Sequence, residues 1–416
     1  MSELATVPGT PPPNQPGAGS ELTMFAYPWD LQLDGAADSL RLVHELGCHR
    51  VAVAVAYHSA EIIAPRRKRS VQITAEGNVS HFPLGGGFSD LVLPTGILAR
   101  EHPELPDEMA GAAKTFDLGL TAWVIVCHNS DLAAARPATA LENCFGDHSA
   151  HGLCPSNPTV RTYALELCRQ VLEIGIFDEL FVESVAYMIG GHGHPHELWA
   201  VRDDPVTRYL RSLCFCASCM RSGADCGIDG PSLRAFVADT LHRTWNSPLT
   251  VVRDPDPGDE LSSLLVCRPD LAAWTAMRCD CVAELVSEIA TLAHSHGSRL
   301  STALGVIARP GPLGWMEGAD PTRLAMTSDR LVATAYYPGP GAVARDIDHY
   351  LALVEPGRLQ LVQTLWPQHH MDLATLLAKI SLARTAGIDK FGFYNLTTAP
   401  APALGWVRAV ADLLAG

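Results

Sequence analysis

Residues 157–183 read NPTVRTYALELCRQVLEIGIFDELFVE, one complete structural unit of the chain. Asn157 is a good N-cap and Pro158 suits the first helical position, so a helix starts here. Val160, Ala164, Leu167 and Val171 recur at helical spacing and form its apolar face. Gly175 stops it. The pattern then changes to a short apolar β-type run, Glu179–Val182, followed at once by Glu183. The stretch therefore predicts a helix, a turn, and a strand ending in a carboxylate.

The same alternation extends in both directions. Apolar β-type runs precede it at Met24–Tyr27, Arg50–Tyr57 and Leu120–Cys127. Others follow at Leu300–Ile307, Leu331–Tyr337, Leu359–Leu365 and Lys390–Tyr394. Helical patterns fill residues 36–46, 371–386 and 401–415, and a further one runs through Val282, Leu285, Val286, Ile289 and Leu292. Runs that are apolar almost throughout belong to parallel strands covered on both faces. Eight of them alternating with helices predict an α/β fold, a (β/α)8 TIM barrel rather than an open doubly wound sheet. Residues 1–22 are expected to be a disordered tail, since Pro, Gly and Ser dominate residues 7–20. Residues 23–416 are then a single barrel. Long insertions after strands 2 and 4, at 58–119 and 185–298, are expected to cover its C-terminal mouth.

Composition agrees with a large buried core. Of 416 residues, 47% are hydrophobic and 18% charged, which excludes disorder for most of the chain. The formal net charge of −15 argues against a nucleic-acid partner or an anionic membrane surface. No apolar run is long enough to span a bilayer. The N-terminus lacks the basic and apolar regions of a signal peptide, so a cytoplasmic location with mostly reduced cysteines is expected. A homo-oligomer is left open.

In a barrel of this kind chemistry sits where strands end. Those positions hold Trp29 and Asp30, Tyr57 and His58, His128 and Asn129, Glu183, Tyr336 and Tyr337, Gln363 with Trp366 and His369, and Tyr394 with Asn395. Flat aromatic faces suit sugar rings, and His, Asn, Gln and carboxylates suit hydroxyls. The expected partner is a small carbohydrate or glycoside, and no nucleotide cofactor is expected because no Gly-rich strand-turn-helix motif stands out. Glu183 is the main catalytic candidate, as acid, base or nucleophile. A second carboxylate is sought among Asp30, Glu317 and Glu197. Three histidines and that glutamate stand close together at His192, His194, His196 and Glu197, where they can contact substrate or bind a divalent metal. Cys214, Cys216 and Cys219 form a Cys-x-Cys-x-x-Cys cluster that can place three thiolates on one zinc ion. Cys154, Cys144 and Cys226 are the candidates for a fourth ligand.

Leu153-Cys154-Pro155-Ser156-Asn157-Pro158, the strand ending in Glu183, and the cysteine cluster together resemble glycoside-hydrolase-like (β/α)8 barrels. More distantly they resemble the zinc-containing family 42 β-galactosidases. That resemblance implies a catalytic role for Glu183 and a structural zinc on Cys154, Cys214, Cys216 and Cys219. The chain departs from the β-galactosidase pattern in having Val182 before Glu183 and no Glu on strand seven. The expected activity is hydrolysis of a small glycoside or glycosylated metabolite. The rivals are a metal-dependent sugar isomerase or lyase using the His192–Glu197 loop, and a non-catalytic sugar-binding barrel.

Overall fold

A computed structural model of the chain describes residues 19–85, 91–188, 201, 204–247, 257–305, 313–367, 369 and 372–415. Eight parallel strands close on themselves: β1 (Glu21–Ala26), β2 (Arg50–Tyr57), β3 (Gly119–Ile125), β4 (Glu179–Glu183), β5 (Arg299–Ala303), β6 (Arg330–Thr334), β7 (Leu359–Thr364) and β8 (Lys390–Tyr394). Each pairs with the next, and β8 returns to β1 with Phe391 opposite Leu22. One helix of the outer ring follows each strand. These are α1 (Ala36–Glu45), α2 (Leu105–Phe116), α3 (Pro158–Glu173), α4 (Pro269–Ser295), α5 (Pro321–Leu324), α6 (Pro340–Leu351), α7 (Leu373–Thr385) and α8 (Ala401–Ala415). The chain forms the expected (β/α)8 barrel.

Local chemistry explains the elements. Asn157 Oδ1 accepts from Thr159 N at 2.9 Å, so α3 begins on a satisfied cap with Pro158 behind it. Gly175 adopts φ +78°, which lets the chain leave α3 and enter β4. Along each strand, successive side chains serve two different cores, as the period of two requires. Leu22, Met24, Val51, Leu120, Leu180, Val182, Leu361 and Phe393 pack outward against the helices. Phe25, Ala52, Ala54, Trp123, Phe181, Ala303, Val332 and Val362 fill the barrel interior.

The barrel floor is an ion network. Arg330 Nη1 lies 2.7 Å from Glu21 Oε1 and 3.5 Å from Glu179 Oε1. Arg50 pairs with Asp178 and lies 3.6 Å from Glu179. These contacts explain one difference from expectation. β1 starts at Glu21, inside the stretch read as tail, because the Glu21 carboxylate is tied to Arg330 across the floor.

Three connections carry extra structure. Residues 58–119 hold an antiparallel hairpin, Ala60–Ile63 with Gln72–Ala75, a short strand Val79–Ser80 on β2, a helix Ile97–Glu101, and α2 itself. Residues 185–298 hold helices Pro205–Arg211, Ala217–Asp225, Gly230–Trp245 and Pro257–Cys267 and then the whole of α4. A second hairpin, Ala140–Glu142 with His148–Leu153, lies between β3 and α3, and no periodicity in the sequence marks it. Ile62 and Ala75 of the first hairpin join the interior cluster, so that hairpin packs over the mouth.

Candidate active site

Glu183 is the last residue of β4, and the alternation from Glu179 and Phe181 turns it inward. Its Oε2 accepts from Trp123 Nε1 at 2.6 Å, across from the neighbouring strand β3. Burial pushes the Glu183 carboxyl up to about 7; the Trp123 hydrogen bond opposes this, and the facing Glu317 carboxylate adds to it. The side chain nevertheless keeps partial access to the mouth.

Glu317 arrives from outside the strands. It closes a 3₁₀ turn, Gly314–Glu317, that folds back over the end of β5. Gly305 makes this possible. It has φ +93°, and a Cβ there would stand 3.0 Å from Gly314 Cα and 3.4 Å from Glu317 Oε2. The backbone carbonyl of Glu317 accepts from Tyr187 N at 2.8 Å, which pins the turn to the segment after β4.

Four tyrosines stand around Glu183. Tyr27, Tyr57 and Tyr394 place their hydroxyls in a triangle, with separations of 2.6 Å (Tyr27–Tyr394), 3.2 Å (Tyr27–Tyr57) and 3.3 Å (Tyr57–Tyr394). Tyr336 lies 6.2 Å from Tyr394, ring to ring. Burial raises all four phenols, and the Glu183 charge raises each of them further. Glu183 is thus within electrostatic reach of every one. Trp29 stacks on Tyr27 at 4.5 Å, Tyr57 on His58 at 4.1 Å, and His58 on His128 at 4.8 Å. On the far side Trp366 meets Tyr394 edge-on at 5.6 Å and stacks on His369. Burial lowers His58 and His369, favouring neutral rings that can both donate and accept.

Of the residues expected here, Glu183, Glu317, Trp29, Tyr57, His58, His128 and Trp366 join this aromatic and carboxylate constellation. Others do not. Asp30 is buried on the helix Pro28–Asp34, where its carboxylate accepts from Thr397 Oγ1 and lies 3.7 Å from Arg67. There it ties the helix to the hairpin loop carrying Arg67. Asn129 caps the helix Ser130–Ala135, accepting from Leu132 N at 3.0 Å. Asn395 turns the chain after β8, its Oδ1 accepting from Thr398 N at 3.0 Å. Gln363 pairs with Phe393 in register and shares its outward direction, so it is buried between sheet and helices. Tyr337 packs against the outer core and bonds to Asp346 of α6. Its neighbour Tyr336 is the one that faces inward. His192, His194, His196 and Glu197 lie outside the described residues. Trp123 and Tyr27 belong to the site but were not among the expected contacts. Counting in twos back from the last inward residue of β3 would have found Trp123.

A second cluster lies between two connections. Cys154 follows the second hairpin, and Cys214, Cys216 and Cys219 lie where helix Pro205–Arg211 passes to helix Ala217–Asp225. All four are buried and their sulfurs lie within 4.8 Å of one another. Cys154 is 3.5 Å from Cys216, 3.6 Å from Cys219 and 3.9 Å from Cys214. Metal–sulfur bonds of about 2.3 Å in a tetrahedron put the sulfurs about 3.8 Å apart, so the spacing fits one ion. Cys144 and Cys226 stand outside the cluster. Phe215 N donates to Glu142 O at 2.7 Å, joining the two connections beside the thiols.

No protein-family model and no curated protein matches the chain. Solved structures do. The β-galactosidase of the psychrophilic Marinomonas ef1 aligns at TM-score 0.53 and 12% identity, covering 94% of this chain and 59% of that one. The β-galactosidase of the Antarctic haloarchaeon Halorubrum lacusprofundi aligns at TM-score 0.56 and 12% identity, covering 95% and 58%. The chain therefore spans less than two thirds of either enzyme. At such identity the likeness is one of fold, the (β/α)8 barrel.

Proposed function

We propose that the chain is a glycoside hydrolase acting on a small glycoside or glycosylated metabolite. The observation that carries this reading is the carboxyl pair at the barrel mouth, Glu183 at the end of β4 raised to about 7 and facing Glu317 from the turn after β5, among aromatic rings. A carboxylic acid still protonated near neutral pH can hand its proton to a glycosidic oxygen. Glu183 takes that role. Glu317, as a carboxylate, stabilises the positive charge that develops on the sugar or activates the attacking group. Trp123 holds the Glu183 carboxyl in place. Trp29, Tyr336 and Trp366 offer faces to a sugar ring, while His58, His128 and the tyrosine hydroxyls orient its hydroxyls.

Cys154, Cys214, Cys216 and Cys219 would hold zinc. Four thiolates close its coordination shell, so the ion's contribution is to hold the connections around the mouth. The test is turnover of a panel of aryl glycosides by the wild type, Glu183→Gln and Glu317→Gln. The wild type is expected to cleave at least one, and each substitution to reduce cleavage by about 10²-fold or more. Binding of glycosides without turnover would favour a sugar-binding barrel instead.

A further inference from the structure

Tyr187 stands four residues beyond Glu183 and is fully buried. Its hydroxyl bonds to Ser156 Oγ and lies 3.8 Å from Cys219 Sγ. Its backbone N–H donates to the Glu317 carbonyl at 2.8 Å. One residue thus touches the four-cysteine cluster with its side chain and the second carboxylate's residue with its backbone. The ring between these ends is clamped. The guanidinium of Arg278, fully buried on α4, sits 4.4 Å above its centroid. Gly318 presses on its edge, where a Cβ would lie 3.3 Å from Tyr187 Cδ2 and 3.1 Å from the Arg278 carbonyl. Tyr187 therefore has little room to move without moving the turn that carries Glu317.

We propose that Tyr187 is a positioning residue that couples metal held by Cys154, Cys214, Cys216 and Cys219 to the placement of Glu317 opposite Glu183. This rests on the reading of the two glutamates as the working pair. A metal-bound thiolate is a stronger acceptor than a free thiol, and outer partners of metal ligands orient their surroundings. With metal bound, the Ser156 hydroxyl donates to the Tyr187 oxygen, and the phenol proton is directed to Cys219. Loss of the metal, or of the hydroxyl, removes the tether at Cys219 and Ser156 and leaves the ring to its Arg278 and Gly318 contacts, so that the segment whose N–H bonds to the Glu317 carbonyl can shift.

The Glu183 carboxyl reports the outcome, since the groups bearing on it are Trp123, Glu317, Tyr27, Tyr57, Tyr336 and Tyr394. Of these, only Glu317 hangs from Tyr187. The experiment is a carboxyl NMR titration of the full chain labelled with ¹³C-glutamate, the Glu183 signal being assigned by its loss in Glu183→Gln. Zinc-loaded wild type, chelator-stripped wild type and Tyr187→Phe are compared. Ser156→Ala serves as a milder variant with the same expected effect, and near-ultraviolet circular dichroism checks the fold. The zinc-loaded midpoint is expected near 7. Stripping and Tyr187→Phe should each lower it, by about half a unit or more, as Glu317 withdraws. Tyr187→Phe should also release zinc to a chromophoric chelator faster. Identical midpoints in folded, verified metal-free protein and in the variants overturn the proposal, as does a chain that takes up no zinc. Turnover does not enter these readouts. A shifted midpoint without glycoside cleavage upholds the coupling and counts against hydrolysis, whereas Glu183-dependent cleavage with an unmoved midpoint does the reverse.

Discussion

A Glu183 carboxyl near pH 7 has consequences for both activity and stability. If it is the proton donor, as proposed, it must be protonated, so activity is expected to fall as pH rises through about 7, and Glu183→Gln should abolish that limb. A pH profile of kcat/KM on the best aryl glycoside checks this. The stability effect has a fixed sign. The folded value lies above the unfolded one, so the carboxyl's contribution is full below about 4.5 and is lost as pH rises through about 7. Glu183→Gln should therefore be more stable than wild type at pH 8, by roughly 2–3 kcal/mol, with the difference vanishing near pH 4.5. Denaturant titrations at the two pH values measure it. Single residues also mark the limit of what the sequence reveals. Glu183 is legible because an apolar run ends on it. Tyr336 and Tyr337 are adjacent and chemically equal, and only the register of β6 decides which faces the mouth. Gln363 misleads for the same reason, since one step along β7 reverses its direction.

The strands and ring helices are readable from periodicity, because burial on both faces leaves little freedom in their composition. The connections are not. The hairpin Ala140–Glu142 with His148–Leu153 is short, partly exposed and without apolar alternation. The turn bringing Glu317 to Glu183 depends on Gly305 and on a tertiary contact with Tyr187, which no local pattern announces. The cysteine cluster is the exception, because ligand spacing within Cys214–Cys219 is local, even though Cys154 comes from another connection. The structural zinc proposed for it gives a prediction at this scale. Stripping the metal should lower the melting temperature by several degrees, and Cys154→Ser should reproduce the loss without chelator. Scanning calorimetry with and without added zinc reads both. Unchanged melting in a verified metal-free sample would remove zinc from the reading.

Across the whole molecule, the barrel separates stability from chemistry along its axis. Charges at the floor are paired, while the carboxyls at the mouth are pushed together. Arg330 is nearly inaccessible and serves both Glu21 and Glu179. Arg330→Ala is expected to cost about 3 kcal/mol, because it removes a buried cation between buried Glu179 and half-buried Glu21 and leaves them to Arg50 and Arg299, and to leave KM unchanged at temperatures where the variant is folded. The low charge fraction of the chain follows from the same design, with eight strands covered on both faces. The proposed function stands or falls with Glu183 as the proton donor to a glycosidic oxygen. Turnover of aryl glycosides by wild type and folded Glu183→Gln, side by side at pH 6, tests it most directly. The expected result is cleavage by the wild type and a loss of about 10²–10⁴-fold in the variant. Equal cleavage by both proteins would contradict the claim.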